Sequence, residues 1–144
     1  MLIGEYQHTI DTKKRLAIPA KLRAELGENV VVTRGLDGCL FVYTAGMWQE
    51  LAAKLGQAPV GSEMSRGFVR LLLSGANEVE LDSLGRVLVP DTLKDYAGLN
   101  KNVVIVGVYN RLEIWDKDRW MSYSARAERD IGNMAEKMGE LGLY

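Results

Sequence analysis

The chain contains the same short motif twice, and this internal repeat limits what it can fold into. Ile10–Arg23 reads IDTKKRLAIPAKLR and Leu81–Lys94 reads LDSLGRVLVPDTLK. Both copies place Asp, Arg, Pro and Leu at one spacing: Asp11, Arg15, Pro19 and Leu22, then Asp82, Arg86, Pro90 and Leu93. Such a repeat indicates two related units that bury their apolar faces against each other.

The likeness continues beyond the motif, where Glu28–Trp48 aligns with Lys101–Trp120. The alignment allows one inserted residue and matches Val31 with Val103, Gly35 with Gly107, Leu40 with Leu112 and Trp48 with Trp120. Each unit predicts a strand, a turn, a strand, a short helix, two more strands and a helix. Strands are expected at Val30–Thr33, Leu40–Tyr43, Val103–Val106 and Leu112–Trp115, and each motif proline is expected at the first position of its helix.

Two further segments have helical patterns. The linker from about Thr44 to Ala76 spaces its apolar residues on one side, with a break at QAPVG. Asp116–Leu141 repeats apolar residues at three- and four-residue steps, and Asp116 is a candidate N-cap. The tryptophans and Tyr43 are expected to be core or subunit-interface anchors.

Composition excludes several functional classes. The net charge is −1, and one cysteine and one histidine cannot form a Cys/His zinc site or an internal disulfide. No run approaches the roughly 20 apolar residues of a membrane helix, and the start lacks a signal-peptide pattern, so a cytoplasmic protein is expected. No nucleophile–base arrangement, GxGxxG motif or P-loop occurs, so we expect no enzyme, no metal, no cofactor and no small-molecule substrate.

Charge differs between the two copies of the motif. The window Asp11–Arg23 has a net charge of +4, whereas Asp82–Lys94 is neutral. Clustered cations suit contact with phosphates, so the first copy is expected to carry most of the partner contact. Two alternatives remain: each arginine pairs with its own aspartate across the turn, or the lysines form a solvated loop tip.

The doubled Asp-x-x-x-Arg motif, with RLLLSGANEVELDSLGRVLVP and VYNRLEIWD, resembles the MraZ family from Met1 to about Trp120. The resemblance implies an α+β fold, mainly β. Its two SpoVT/AbrB-like repeats would pack as a pseudo-dimer and form a swapped-hairpin, AbrB-like β-barrel. We assign the first repeat to residues 5–47, a helical linker to 48–75, the second repeat to 76–119 and a C-terminal helix to 120–144.

The resemblance also implies a function. MraZ proteins are bacterial transcriptional regulators of the division and cell-wall gene cluster, which bind G-rich direct repeats upstream of their own operon and assemble into rings. The expected partners are double-stranded promoter DNA and further copies of the chain, and the expected location is the nucleoid. A ring would reconcile an acidic protein with DNA binding, since many copies raise avidity.

The resemblance and the charge pattern together give candidate site residues. Arg15 is the first candidate for a guanine contact, because arginine donates a bidentate fork to O6 and N7. The candidate DNA-binding residues are Arg15, Lys13, Lys14, Arg86, Lys21 and Arg23, and the structural turn residues are Asp11, Asp82 and Gly85. Lys14 stands where the family has glycine, which predicts strain of about 1 kcal/mol if the position needs positive φ.

Two other functions compete with DNA recognition. An Asp/Arg pair in a cleft would be an enzyme site, but the chain offers no nucleophile and base to accompany it. A ring-forming scaffold with a basic rim is the second alternative. The charge asymmetry favours DNA, since a scaffold has no reason to charge one copy of a repeated motif.

Overall fold

The structure, a computed structural model, describes all residues from 1 to 144. The first unit contains β1 (Leu2–Thr9), β2 (Arg15–Ala17), α1 (Ala20–Leu26), β3 (Asn29–Arg34) and β4 (Leu40–Thr44). Two helices follow, α2 (Ala45–Gly56) and α3 (Glu63–Ser74). The second unit contains β5 (Asn77–Glu80), β6 (Arg86–Leu88), α4 (Asp91–Tyr96), β7 (Asn102–Tyr109), β8 (Leu112–Asp116) and α5 (Lys117–Glu140). The two units thus share one order of elements.

The main sheet exchanges strands between the units. Its order is β1-β7-β8-β4-β3-β5, and every neighbouring pair is antiparallel. The first strand of each unit therefore pairs with the other unit: β1 with β7, and β5 with β3. The sheet is open, with β1 and β5 as its edges. The fold is accordingly mixed α+β, mainly antiparallel β.

The short strands β2 and β6 form a separate two-stranded ribbon on a pseudo-twofold axis. Leu16 lies opposite Val87 at its centre, flanked by Arg15 opposite Leu88 and by Ala17 opposite Arg86. The motif that the sequence repeats thus forms one of the contacts between the units. Three residues of strand are too few to persist alone, so the ribbon depends on packing against the main sheet.

The larger core lies between one face of the main sheet and the ribbon with α1 and α4. Alternate residues of the strands point into it, as period-2 patterning requires. Its fully buried members include Leu16, Ile18, Leu22, Val32, Val42, Val87, Val89, Leu93, Ile105 and Ile114. Truncating one of the leucines to alanine would cost about 2–5 kcal/mol.

A smaller aromatic cluster covers the opposite face of the sheet. Phe41, Tyr43 and Trp115 project from the strands, and α2 and the start of α5 cover them with Trp48 and Trp120. The Trp115 and Trp120 rings meet edge to face, with 5.3 Å between centroids. The predicted anchoring role of these aromatic residues is confirmed as packing within the chain.

The helices outside the repeated motif begin and end close to the prediction. The linker contains α2 and α3, separated by a break at residues 57–62. Thr44, Ser62 and Asp116 each cap a helix by accepting from a backbone N–H three residues ahead, at 3.1, 3.3 and 3.2 Å. The predicted cap at Asp116 is confirmed. No helix of the structure combines the length and apolar character needed to cross a membrane.

The alignment of the repeats along β3 and β7 was wrong by one residue. Val30 lies opposite Thr44, and Val103 lies opposite the equivalent residue Asp116, so Val30 rather than Val31 matches Val103. A run of three valines looks the same in either register, which explains the error. The prolines also differ from the prediction, since Pro19 and Pro90 are the N-cap residues of their helices.

Candidate nucleic-acid interface

A tight turn precedes β2 and is organised by Asp11. One oxygen of its carboxylate, Oδ1, accepts the backbone N–H groups of Lys13 at 2.8 Å and of Arg15 at 2.9 Å. The other, Oδ2, accepts the Nε–H of the Arg15 side chain at 2.7 Å. The N–H of Arg15 and then its side chain lower the pKa of Asp11, because both stabilise the charged carboxylate.

The turn before β6 has the same geometry. Asp82 Oδ1 accepts the N–H groups of Leu84 at 3.0 Å and of Arg86 at 2.9 Å, and Oδ2 accepts Arg86 Nε at 2.7 Å. The pKa of Asp82 is lowered, first by the N–H of Arg86. We call the segments 11–14 and 82–85 turn 1 and turn 2.

The ion pair with aspartate and a partner contact by arginine are compatible. Arg15 and Arg86 each use Nε for the aspartate, and neither terminal nitrogen, Nη1 or Nη2, hydrogen-bonds within the chain. About a third of the Arg15 side chain and a quarter of the Arg86 side chain are exposed. The aspartate therefore fixes the guanidinium and leaves the fork that binds guanine free.

The two arginines lie on one face of the ribbon. Leu16 and Val87 are fully buried beneath it, so their neighbours in sequence point to the opposite, outer face. Arg15 faces Leu88, and Arg86 lies two residues farther along the partner strand. Diagonal neighbours of this kind are about 7–8 Å apart. The outer face thus presents a pseudo-symmetric pair of arginines.

Lys14 adopts the left-handed conformation that the turn requires. Its φ is 64°, and φ at the equivalent Gly85 is 73°, so both turns have one shape despite the replaced glycine. Lys14 Nζ contacts Asp91 Oδ1 at 2.5 Å, from the first residue of α4. Both side chains are substantially exposed, so the pair contributes at most about 1 kcal/mol. That amount is comparable with the cost of the strained backbone.

The helix beside each turn comes from the other repeat. Val89 N donates to Lys14 O at 2.9 Å and places α4 next to turn 1, while Ile18 N donates to Gly85 O at 2.9 Å and places α1 next to turn 2. The expectation that α1 extends the basic cluster of turn 1 is therefore wrong. The physical reason is the antiparallel pairing of β2 with β6, which sends each helix toward the opposite turn.

Lys21 and Arg23 consequently lie on the side of turn 2. Arg23 Nε donates to Ile18 O at 2.7 Å, and the Arg23 side chain occupies the space that a Cβ at Gly85 would need. Lys21 is exposed on the same helix. Arg23 therefore packs against Gly85 of turn 2. The equivalent residue of turn 1 is Lys14, which has a side chain of its own.

Two lysines near turn 1 were missed by the sequence analysis. Lys94 and Lys101 line a shallow depression with Thr9, Thr12 and Asn100. Strand pairing between the two repeats places both lysines beside turn 1. Their charge was the only feature of the sequence that could have indicated a role in binding.

The lone histidine and the lone cysteine differ in burial. His8 is half-buried, and burial, followed by the charge of Arg23, lowers its pKa. Cys39 is buried in the aromatic cluster, where desolvation raises the pKa of its thiol to about 12. No three His, Cys, Asp or Glu side chains are grouped closely enough to hold a metal ion.

Comparison with known proteins places the chain in a family. The family model described as "MraZ protein, putative antitoxin-like" matches it twice, at residues 1–71 and 72–140. The chain is similar to proteins named transcriptional regulator MraZ. The protein from Clostridium acetobutylicum is 51% identical over 143 residues, covering 99% of this chain and 100% of the relative. The proteins from Clostridium botulinum (strain Eklund 17B) and Ligilactobacillus salivarius are each 48% identical with the same coverage. This chain belongs to the MraZ family.

Proposed function

We propose that this protein is a transcriptional regulator that binds double-stranded promoter DNA in a sequence-specific way. One observation carries the proposal: Arg15 and Arg86 lie side by side on the exposed face of the ribbon, each fixed through Nε with both terminal nitrogens free. A two-stranded ribbon fits the major groove, where arginine is the commonest reader of guanine.

The candidate residues divide by role. Arg15 and Arg86 read base edges, and Lys13 binds phosphate from the exposed tip of turn 1. Lys14 is the weaker phosphate contact, because Asp91 already neutralises it. Lys21 and Arg23 contact the backbone on the side of turn 2. Asp11, Asp82 and Gly85 keep the turns in shape.

The names of the relatives support a role in transcription. Three similar proteins are named transcriptional regulators, and the chain covers each over its full length. In our proposal the protein represses its own division and cell-wall gene cluster by binding G-rich direct repeats in the promoter. It acts in the cytoplasm, associated with the nucleoid.

The architecture in this proposal is a swapped-hairpin, AbrB-like β-barrel. The exchange of β1 and β5 between the units, with the ribbon across one face of the sheet, supports it. In our proposal the repeats are residues 5–47 and 76–119, the linker is 48–75 and the C-terminal helix is 120–144. The helix α5 itself begins earlier, at Lys117, and ends at Glu140.

Assembly into a ring is the other part of the proposal. Two apolar stripes face solvent on separate helices: Met64, Phe68 and Leu71 on α3, and Ile131, Met134 and Met138 on α5. A contact between two different surfaces of one chain is heterologous, and such contacts close into rings when the rotation allows. Each subunit then adds one arginine pair, and avidity multiplies a small contact.

Fluorescence anisotropy tests the proposal with a labelled duplex from just upstream of the gene, beside a scrambled duplex, at several salt concentrations. Tight binding to the native duplex that weakens steeply with salt is expected. Arg15→Ala and Arg86→Ala should each lower the preference for the native duplex by about 10-fold or more, since a good bidentate base contact contributes about 1–3 kcal/mol of discrimination. Equal binding to both duplexes by the wild-type protein would contradict sequence recognition.

A ring-forming scaffold is the second candidate, and the exposed stripes on α3 and α5 favour it. It predicts the same particle mass but no duplex binding even at low salt. The anisotropy experiment therefore separates the two functions without a further variant.

A further inference from the structure

We propose that Lys94 and Lys101, both from the second repeat, contact the DNA phosphate backbone beside turn 1. The inference rests on the proposed function and deepens it by naming a contact surface to which both repeats contribute. The sequence motif gave neither residue a role. The pairing of β1 with β7 carries Lys101 to the turn of the first repeat, and the pairing of β2 with β6 carries Lys94 there.

A main-chain hydrogen bond fixes the position of Lys101. Ile10 N donates to Lys101 O at 2.8 Å, just where β1 runs into turn 1. Lys101 is exposed and Lys94 is half-buried, and both line the depression that also contains Asp11 and Thr12. Both lysines therefore lie in the same depression as Asp11, the aspartate that holds the Arg15 side chain.

Neither lysine has a carboxylate partner. The five ion pairs of the structure involve other groups, and they also leave out Lys13. Asp11 is the one carboxylate of the depression, and its two oxygens are already held by Arg15 and by backbone N–H groups. Lys13 in turn 1 thus has no ion-pair partner, and neither do Lys94 and Lys101 in the depression beside it. Three unpaired ammonium groups in one region suit phosphate contact.

The equivalent depression at turn 2 has the opposite character. Its charged lining residues are Arg23, Glu28, Glu80 and Asp82, with carboxylates in the majority. Glu28 occupies the position equivalent to Lys101, since Leu81 N donates to Glu28 O at 2.8 Å in the same way. The symmetric scaffold therefore supplies a matched site in which Arg23 replaces Lys94 and a carboxylate, Glu28, replaces Lys101.

The first test substitutes the lysines singly and together, as Lys94→Ala, Lys101→Ala and the double variant. Each loss is expected to weaken binding about 5- to 10-fold near 0.1 M salt and to reduce the slope of log affinity against log salt by about 0.9. Native and scrambled duplexes should be affected alike, because phosphate contacts position the protein and carry no sequence information. A change in the ratio between the duplexes would overturn the assignment to phosphate.

The second test is a charge swap. Lys101→Glu should weaken binding more than Lys101→Ala. The combined variant Lys101→Glu with Glu50→Lys keeps the net charge of the protein, and Glu50 lies on α2, across the sheet from the ribbon. Both positions are exposed, so folding should persist, as a thermal melt would show. The double variant is expected to bind as weakly as Lys101→Glu alone. Restored binding would mean that total charge decides affinity, and the located contact surface would be wrong.

Failure of the inference differs from failure of the proposed function. If the wild-type protein binds neither duplex at low salt, both are overturned. If the wild-type protein binds and Arg15→Ala loses the preference for the native duplex, while the lysine variants keep wild-type affinity and salt slope, the function stands and the inference is wrong.

Discussion

At the scale of residues, one carboxylate performs two tasks in each turn. Asp11 holds the backbone of turn 1 with Oδ1 and holds the Arg15 side chain with Oδ2. The first task is structural, and the second orients a side chain that would otherwise lose rotamer freedom on binding. The Asp-x-x-x-Arg spacing is what allows one side chain to do both.

Asp11→Asn separates the two tasks. An asparagine keeps one acceptor for the backbone N–H groups, but its amide nitrogen cannot accept from Arg15 Nε. We expect specific duplex binding to fall about 10-fold while the melting temperature changes little, as anisotropy and a thermal melt would measure. Asp82→Asn is the matched change in turn 2. Wild-type affinity of the Asp11→Asn variant would show that the aspartate does not orient the arginine.

The lowered pKa of Asp11 predicts a flat pH response. A carboxylate whose folded pKa lies below its unfolded value stabilises the folded turn above the unfolded pKa. That stabilisation is lost as the pH falls through the still lower folded pKa. The affinity ratio between the wild-type protein and Asp11→Asn should therefore stay constant from pH 8 to pH 5. A change in this affinity ratio with a midpoint between pH 5 and pH 8 would contradict the prediction and would mean that another group titrates.

Gly85 is the position where a side chain is excluded twice, by its φ of 73° and by the Arg23 side chain packed against it. Gly85→Ala should lower the free energy of unfolding by about 1–3 kcal/mol, from the left-handed backbone and the displaced arginine together. In an Arg23→Ala background the clash with arginine is absent, so Gly85→Ala should lower the free energy of unfolding by only about 1 kcal/mol, the cost of the left-handed backbone. Denaturant unfolding measures both values, and equal losses in the two backgrounds would exclude the contact with Arg23.

At the scale of elements, α5 is a helix with two different halves. Trp120 and Tyr123 in its first turns pack into the aromatic cluster. Farther on, Ile131, Met134 and Met138 are exposed along one side of a helix of 24 residues. Twenty-four residues span about 36 Å, so the second half extends well beyond its docked turns. An apolar stripe of this kind indicates a partner helix.

Substitution within the stripe tests assembly through α5. Ile131→Glu should lower the particle mass in solution, measured by light scattering after a sizing column, because a charge cannot be buried in an apolar contact. Thermal stability of the subunit should hold, since the Ile131 side chain is exposed. Arg129→Glu, also exposed on α5, is the matched control and should leave the particle mass unchanged. An unchanged mass for Ile131→Glu would place the assembly contact elsewhere.

At the scale of the whole molecule, strand exchange makes the two repeats one folding unit. Each half lacks the strand that completes its sheet, because β1 pairs with β7 and β5 pairs with β3. The ribbon and the central pair of β4 with β8 also join the halves. The halves should therefore unfold in one cooperative transition.

Dividing the chain in the break between α2 and α3 tests this interdependence. A polypeptide of residues 1–61 should be unfolded as a monomer, as circular dichroism and amide exchange would show, because its edges and half of its core would face water. Any folded form should be a dimer, in which a second copy supplies the missing strands. A folded monomer with full strand content would contradict the exchange.

The sequence by itself determined the local parts of this protein. The Asp, Arg and Pro spacing specified two turns and two short helices, alternation specified the strands, and a cap specified where α5 begins. These features depend on interactions a few residues apart, so they can be predicted from the residues that form them. The repeated motif and the family followed from the same local patterns.

Only the tertiary structure decided which repeat supplies the helix and the charged side chains beside each turn. The antiparallel pairing of β2 with β6 moved Arg23 to turn 2 and brought Lys94 to turn 1, and the pairing of β1 with β7 brought Lys101 there. The register of β3 was likewise set by its partners, because its run of valines fits either alignment. Pairing between strands some 70 residues apart is selected by burial in a shared core, and no spacing within either motif records that choice.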